Sequence, residues 1–369
     1  MDRFAPTACP RLIVKVGSSL LVTAAGEVRR DWLAGLAADI AARVSGGQQV
    51  AVVSSGAIAL GARRLGLAKG GRASLEDAQA AAATGQIALS QIWAELLGDQ
   101  GLTAAQMLVT LNDLEDRRRY LNAAATLGRL LTLGTVPVIN ENDSVATEEI
   151  RFGDNDRLAA RVAQAAGAQG VLLLSDVDGL YDRDPAQPGA TLIPHVARID
   201  AAIEAMAGGS SSGMGSGGMT SKVQAARIAT RAGIALAIAD GRVAHPLARF
   251  AETGRGTVFA ATGSAPARKA WLGGRLSVRG TIHVDAGAVA ALRDGRSLLP
   301  AGATGVEGRF VRGDLVAISG PAGIIASGLA EYDAADAARI AGKRSDEAGA
   351  ILGHAPRAAL VHRNHMVLA

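Results

Sequence analysis

The chain has 369 residues, 49% of them hydrophobic and 20% charged, which is long enough for two or three domains with real cores and too apolar for disorder. Aromatics at 3% leave little for base-stacking surfaces, and a single cysteine, Cys9, excludes an internal disulfide framework or a cysteine-built zinc cluster; no apolar run reaches the ~18 residues of a membrane span. The net charge of +4 lies entirely in residues 264–369, which hold 13 basic against 9 acidic residues, a weak signal for a polyanion partner.

In chain order, the apolar run at 11–16 reads as a buried strand ending in Gly-Ser-Ser. Asp31 is placed to cap a helix running to about Val44. A second strand at 49–54 ends in Ser-Ser-Gly-Ala-Ile and opens a helix, and an Ala-rich helix covers about 75–97. A strand at 107–110, a helix over about 113–133 and a strand at 135–140 follow. A polar loop then leads to a helix starting in Gly-Asp-Asn-Asp at 153–156. A strand at 170–176, a glycine tract at 208–222 that opens a helix to about 232, and a strand at 234–240 complete this part. Strands alternating with helices of this length predict an α/β fold with a mainly parallel sheet covered on both faces. Ligands of such sheets sit beyond the carboxyl ends of the strands, and here those ends carry the glycines, hydroxyls, amides and carboxylates. Beyond residue 263 short β-like runs at 280–286, 310–319 and 323–332 are interleaved with short helices, the pattern of a separate, small β-rich domain. The N-terminus shows no apolar leader, so a cytoplasmic protein is expected.

Lysine is scarce, five against 33 arginines, so a lysine inside a motif marks a place for a compact ammonium. Lys15 stands at the carboxyl end of the first strand, beside a glycine that lets a ligand approach. In 215–222, glycines precede Thr220, Ser221 and Lys222 and then a helix begins, an arrangement suited to anions and distinct from a Walker A motif, in which lysine comes before the hydroxyl. Ser55, at the opening of the helix after the second strand, can hold a carboxylate or serve as an ordinary cap. Asp143 and Asn155, in polar loops within 20 residues of each other, can offer an amino acid an anion for its ammonium and a donor for its carboxylate, or can be turn residues. The loop 175–185 is either a surface turn or the rim of a nucleotide site.

Together, and in this order, VKVGSS, VVSSGAIALG, VPVINENDSVATEEIRFGDND, LLLSDVDGLY and GSGGMTSKVQAA resemble the glutamate 5-kinases of the amino acid kinase family, and the C-terminal part resembles the PUA domain appended to many of them. The resemblance covers essentially the whole chain and implies a three-layer αβα sandwich over 1–263, a linker at 264–279 and a PUA domain at 280–369. It implies transfer of the ATP γ-phosphoryl group to the side-chain carboxylate of L-glutamate, giving L-glutamyl 5-phosphate, the first step of proline biosynthesis. It further implies Mg²⁺ with the nucleotide, a homo-oligomer, and L-proline as a feedback inhibitor. The implied ATP site is Lys15, Ser175, Asp176 and the run Ser216, Gly217, Gly218, Met219, Thr220, Ser221 and Lys222; the implied glutamate site is Ser55, Asp143 and Asn155. Lys15, Lys222 and Asp156 are the expected catalytic residues, with Asp156 orienting the lysines and Asp154 framing the glutamate pocket; no protein-bound metal is expected. A kinase for another amino acid or for a nucleotide, and an RNA-binding role for the PUA domain, are the competing readings. The acceptor loops favour glutamate over the first, and the few aromatics weigh against the second.

Overall fold

The computed structural model describes residues 2–23, 26–145, 155–208, 218–261, 277–357 and 359–368. The chain divides into two compact units, residues 1–115 with 122–262, and residues 116–121 with 263–369.

The first unit is built on a sheet of eight described strands: β1 Arg11–Val16, β2 Gln49–Ser54, β3 Ala104–Val109, β4 Val136–Glu141, β5 Gly170–Ser175, β6 His195–Val196, β7 Ala235–Asp240 and β8 Thr257–Phe259. Their spatial order is β3-β4-β2-β1-β5-β7-β8-β6; every pair is parallel except β7 with β8. The chain winds outward from β1 to one edge and then returns to β5 on the other side of β1, so the winding reverses at the β1–β5 pair, the place where open parallel sheets bind ligands.

The helices of this unit are α1 Ser18–Leu21, α2 Arg30–Ser45, α3 Ala57–Leu65, α4 Leu75–Gly98, α5 Leu111–Glu115, α6 Arg117–Thr132 (which begins in the second unit), α7 Asn155–Ala166, α8 Ala201–Gly208, α9 Met219–Arg231 and α10 Pro246–Thr253. The strict alternation of a strand decides which side chains meet which layer. Leu12, Val14 and Val16 of β1, Val50 and Val52 of β2 and Leu172 and Leu174 of β5 join one core with Leu33, Leu36 and Ile40 of α2, Leu89 and Trp93 of α4 and Leu247 and Phe250 of α10. The odd positions of β1, Ile13 and Lys15, therefore face the opposite layer, where α7 packs on β1 and β5 and also against α9. Parity thus aims Lys15 at the two helices whose first turns carry Asp156 and Lys222.

Two departures from the sequence reading have plain causes. Asp31 lies in the first turn of α2 and does not cap it; the helix begins one residue earlier, after Arg29, and the carboxylate still sits at the positive end of the helix dipole. The helix expected over 113–133 is two helices. Thr110 Oγ1 accepts from Asp113 N while the Asp113 carboxylate accepts from Thr110 N, so Thr110 caps α5; Asp116 Oδ1 then accepts from Arg119 N and starts α6.

Helices α3 and α4 touch backbone to backbone. A Cβ on Gly61 would lie 1.8 Å from Ala81 O, and one on Gly85 would lie 1.8 Å from Ala57 O. Glycine is therefore required at both by space alone. This contact brings the middle of α4 against the turn that carries Ser55, where Gly56 has φ 114°, a left-handed conformation that other residues adopt only with strain.

The second unit holds a five-stranded sheet ordered β10-β9-β11-β12-β13, from β9 Gly280–Val284, β10 Ala303–Gly308, β11 Leu315–Gly320, β12 Gly323–Ala330 and β13 Val361–Leu368. Its apolar core includes Ile282, Val316, Ile318, Phe310, Ile340 and Val361. Beside that core the buried Glu331 faces Arg312 at 3.4 Å and His365 at 3.6 Å. Burial raises the Glu331 carboxyl, but His365, Arg312 and Arg357 outweigh it and leave it below the usual carboxylate range. Among the described residues no helix is long and apolar enough to cross a membrane.

Candidate active site

The centre of the site is one carboxylate shared by two ammonium groups. Asp156, the second residue of α7, is 1% exposed; Lys15 Nζ lies 2.6 Å from its Oδ1 and Lys222 Nζ 3.1 Å from its Oδ2. Lys15 comes from the carboxyl end of β1 and Lys222 from the first turn of α9, 207 positions later in the chain, yet both are buried at 7% exposure. Burial alone would raise the Asp156 carboxyl; the charges and hydrogen bonds of the two lysines more than offset this and hold it below the usual range. The trio carries one net positive charge at the sheet edge where the winding reverses. A Cβ on Gly17 would stand 3.7 Å from Lys15 Nζ, so glycine there keeps the approach to the ammonium clear.

A polar cluster lies beside this centre. Asn155, next to Asp156, donates both Nδ2 hydrogens, one to Ser55 Oγ at 2.7 Å and one to Asn140 Oδ1 at 3.1 Å. Its Oδ1 is buried without a hydrogen-bond partner among the described residues. The amide expected to donate to the carboxylate of an amino acid therefore spends both its hydrogens within the protein, on Ser55 and Asn140. Asp143, in the short turn after β4, is buried, and one of its oxygens also lacks a partner among the described residues. Burial pushes its carboxyl up to about 6, against the opposing charge of Arg72. A buried acceptor with no donor is costly unless a ligand completes it.

Of the residues expected at the nucleotide, Ser175 at the end of β5 is buried and donates to the exposed Asp176 at 3.1 Å. Gly218 takes the cap position of α9 with no side-chain cap bond, and its carbonyl accepts from Ser221 N at 3.0 Å and Lys222 N at 3.4 Å. Met219 is half-buried and Ser221 buried in the same turn. Thr220 behaves differently: its hydroxyl donates to Ala207 O at 3.2 Å, so that hydrogen holds α8 to α9. Asp154, Ser216 and Gly217 lie outside the described residues. Sequence reasoning overlooked Asn140, although it stands inside a quoted motif, and Gln86 in α4, whose Oε1 accepts from Asn140 Nδ2 at 2.8 Å. The signal for Gln86 was a polar pair, Gln86 and Ser90, four residues apart in an otherwise Ala-rich helix.

Residues 10–240 match the model of the amino acid kinase family, and residues 280–352 match that of the PUA domain. The chain is 70% identical over 370 residues to a glutamate 5-kinase of Sphingopyxis alaskensis, covering 100% of both chains. It is 66% identical to a glutamate 5-kinase of Novosphingobium aromaticivorans, over 98% of this chain and 97% of that one. A third relative, a glutamate 5-kinase of Zymomonas mobilis subsp. mobilis, is 62% identical over 99% of this chain and 93% of its own length. With the two lysines and their shared aspartate at the edge of a parallel sheet, these matches settle the family: the chain belongs to the amino acid kinase family, among its glutamate 5-kinases, and carries a PUA domain after the kinase part.

Proposed function

We propose that this protein transfers the γ-phosphoryl group of ATP to the side-chain carboxylate of L-glutamate, the first step of proline biosynthesis. An oxygen of that carboxylate forms a bond to the γ-phosphorus, the bond to the β–γ bridging oxygen breaks, and ADP leaves with those electrons. A carboxylate of pKa about 4.3 is already ionised at neutral pH, so the step needs no general base. The barrier lies in bringing an anion to a polyanion, and the remedy is fixed positive charge. Lys15 and Lys222 supply it on the phosphate oxygens, Asp156 holds the two ammoniums at a set separation, and the positive end of the α9 dipole adds to the cradle. Ser175 and Asp176 border the nucleotide, while Ser55, Asp143 and Asn155 take the amino acid.

The carrying observation is the convergence of Lys15 and Lys222, distant in sequence, on one buried carboxylate. That carboxylate is engaged by both lysines; Mg²⁺ carried by the nucleotide would supply further charge neutralisation on the phosphates. The same proposal includes a cytoplasmic location, a homo-oligomeric assembly and inhibition by L-proline, the last two read by sizing in solution and by adding proline to the assay. The test is ADP release with L-glutamate as acceptor, on the intact protein and on Lys222→Ala. The variant is expected to lose ~10²–10³ in kcat with a modest change in glutamate KM; near-normal turnover overturns the role of Lys222.

A further inference from the structure

The hydrogen bonds around Asn155 have a direction, and the direction can be traced to its source. Ser90 Oγ donates to Gln86 O, one helical turn back, at 2.8 Å. Its hydrogen spent, that oxygen can only accept, and it accepts from Gln86 Nε2 at 3.2 Å. The Gln86 amide is thereby oriented with Oε1 toward β4, where it accepts from Asn140 Nδ2 at 2.8 Å. Asn140 in turn presents Oδ1, which accepts from Asn155 Nδ2 at 3.1 Å, and the second Nδ2 hydrogen of Asn155 goes to Ser55 Oγ at 2.7 Å. What remains at the end is fixed: Asn155 shows the pocket an acceptor, and Ser55, having accepted, keeps its hydroxyl hydrogen to donate. Reversing any amide would set two donors or two acceptors face to face.

We propose that Gln86, with Ser90 behind it, is a positioning residue that sets the polarity of the amino-acid pocket, so that Asn155 Oδ1 receives the ammonium of the substrate and the Ser55 hydroxyl donates to a carboxylate. The proposal rests on the reading of Ser55, Asp143 and Asn155 as that pocket. It gives Gln86, on a helix that carries none of the expected site residues, a share in discriminating an α-amino dicarboxylate from the same dicarboxylate without its amine. A site built to receive a donor rejects the analogue lacking it because its buried acceptors are then left unpaired.

The test compares kcat/KM for L-glutamate and for glutarate, which lacks the ammonium, in the intact protein and in Gln86→Met, Gln86→Glu and Ser90→Ala. Methionine keeps the bulk and loses the acceptor, so the preference for glutamate over glutarate is expected to narrow by about tenfold, with ATP KM moving less than about twofold. Glutamate at position 86 still accepts from Asn140 and is expected to restore the preference to within about threefold of the parent. Ser90→Ala frees the Gln86 amide to turn and is expected to narrow the preference by about threefold, which decides the matter should the methionine variant not fold. A preference unchanged in Gln86→Met and Ser90→Ala, or glutamate and ATP KM rising together, overturns the proposal. Asn155→Ala separates the two levels. If it raises glutamate KM while the Gln86 and Ser90 variants change nothing, the relay is wrong and the pocket stands; if none of the three changes it, the pocket assignment itself fails.

Discussion

Asparagine in place of Asp156 keeps the shape of the side chain and removes its charge. In the parent, that carboxylate lies 2.6 Å from one ammonium and 3.1 Å from another, and none of the three side chains is more than a tenth exposed. The variant leaves two cations without the anion they share. Removing one partner of a buried ion pair typically costs ~3–5 kcal/mol, and in a domain of this size each ~1 kcal/mol moves Tm by about 2–4 °C, so Tm should fall by about 6–20 °C. Because the folded Asp156 carboxyl lies below its unfolded value, the stability it contributes is complete above pH ~4 and is lost only as pH falls through the folded value. The gap between parent and variant is therefore full at neutral pH and closes in acid. ATP supplies the missing negative charge. Its dissociation constant without glutamate is expected to be no weaker in the variant, and ATP should raise the variant's Tm by more than the parent's. Turnover should drop by ~10²–10³ because the lysines are no longer held apart at a set distance. Thermal unfolding with and without ATP, nucleotide titration and ADP release read the three quantities. An unchanged Tm, or ATP binding lost in step with kcat, refutes the reasoning, since either would mean that Asp156 does not act by holding the lysines.

Asp143, with its carboxyl raised to about 6, gives a signature of opposite sign. Between pH ~4 and about 6 the folded protein keeps a proton that the unfolded chain has released, so the ligand-free protein loses stability as pH rises across that window, by at most ~3 kcal/mol. Asp143→Asn should therefore raise Tm at pH 8 and at the same time raise glutamate KM far more than ATP KM, as unfolding scans and initial rates will show. The parent's kcat/KM for glutamate should fall below about pH 6 as Asp143 protonates, and that acid limb should vanish in Asp143→Asn; a limb that persists assigns it to another group. Gly85→Ala puts a methyl group 1.8 Å from Ala57 O, so α3 and α4 must separate; a loss of ~3 kcal/mol or more, or failure to fold, is expected in a denaturant titration, and a variant as stable as the parent would remove the backbone contact from the account.

Much of the site was legible because a parallel sheet gathers its chemistry at one edge. The ends of β1, β2, β4 and β5 carry the motifs read from the sequence, and strand parity, itself readable, sends Lys15 toward α7 and α9. Elements without an apolar period were not legible. Strand β13 is rich in His, Arg and Asn, β10 is built around glycines, and β8 is three residues long and pairs antiparallel with β7 although α10 stands between them in the chain. The break between α5 and α6 was hidden because Thr110, Asp113 and Asp116 look like ordinary polar residues until their hydrogen bonds are seen to close two caps. The polar relay was hidden for a related reason. Sequence shows that Gln86 and Asn140 have amides but not which way the amides point.

That direction is where fold and chemistry meet. The glycines at 61 and 85 let α3 and α4 close to backbone contact, which brings the middle of α4 beside the Ser55 turn, and β4 brings Asn140 to the same place. The pocket then inherits its polarity from the helix. A hydroxyl bonded to its own helix backbone cannot also donate to a side chain, and each amide downstream has one arrangement left. On the other side of the same two-residue step, Asp156 does with charge what Asn155 does with hydrogen bonds: the first spaces two cations for a phosphate, and the second shows one acceptor to an ammonium. With the proposed roles, the two adjacent residues at the start of α7 serve one substrate each, so a shift of that helix end by a fraction of an ångström would disturb both KM values together, whereas the relay through Gln86 disturbs only one. That difference in pattern, rather than the size of any single loss, separates damage to the scaffold from damage to recognition.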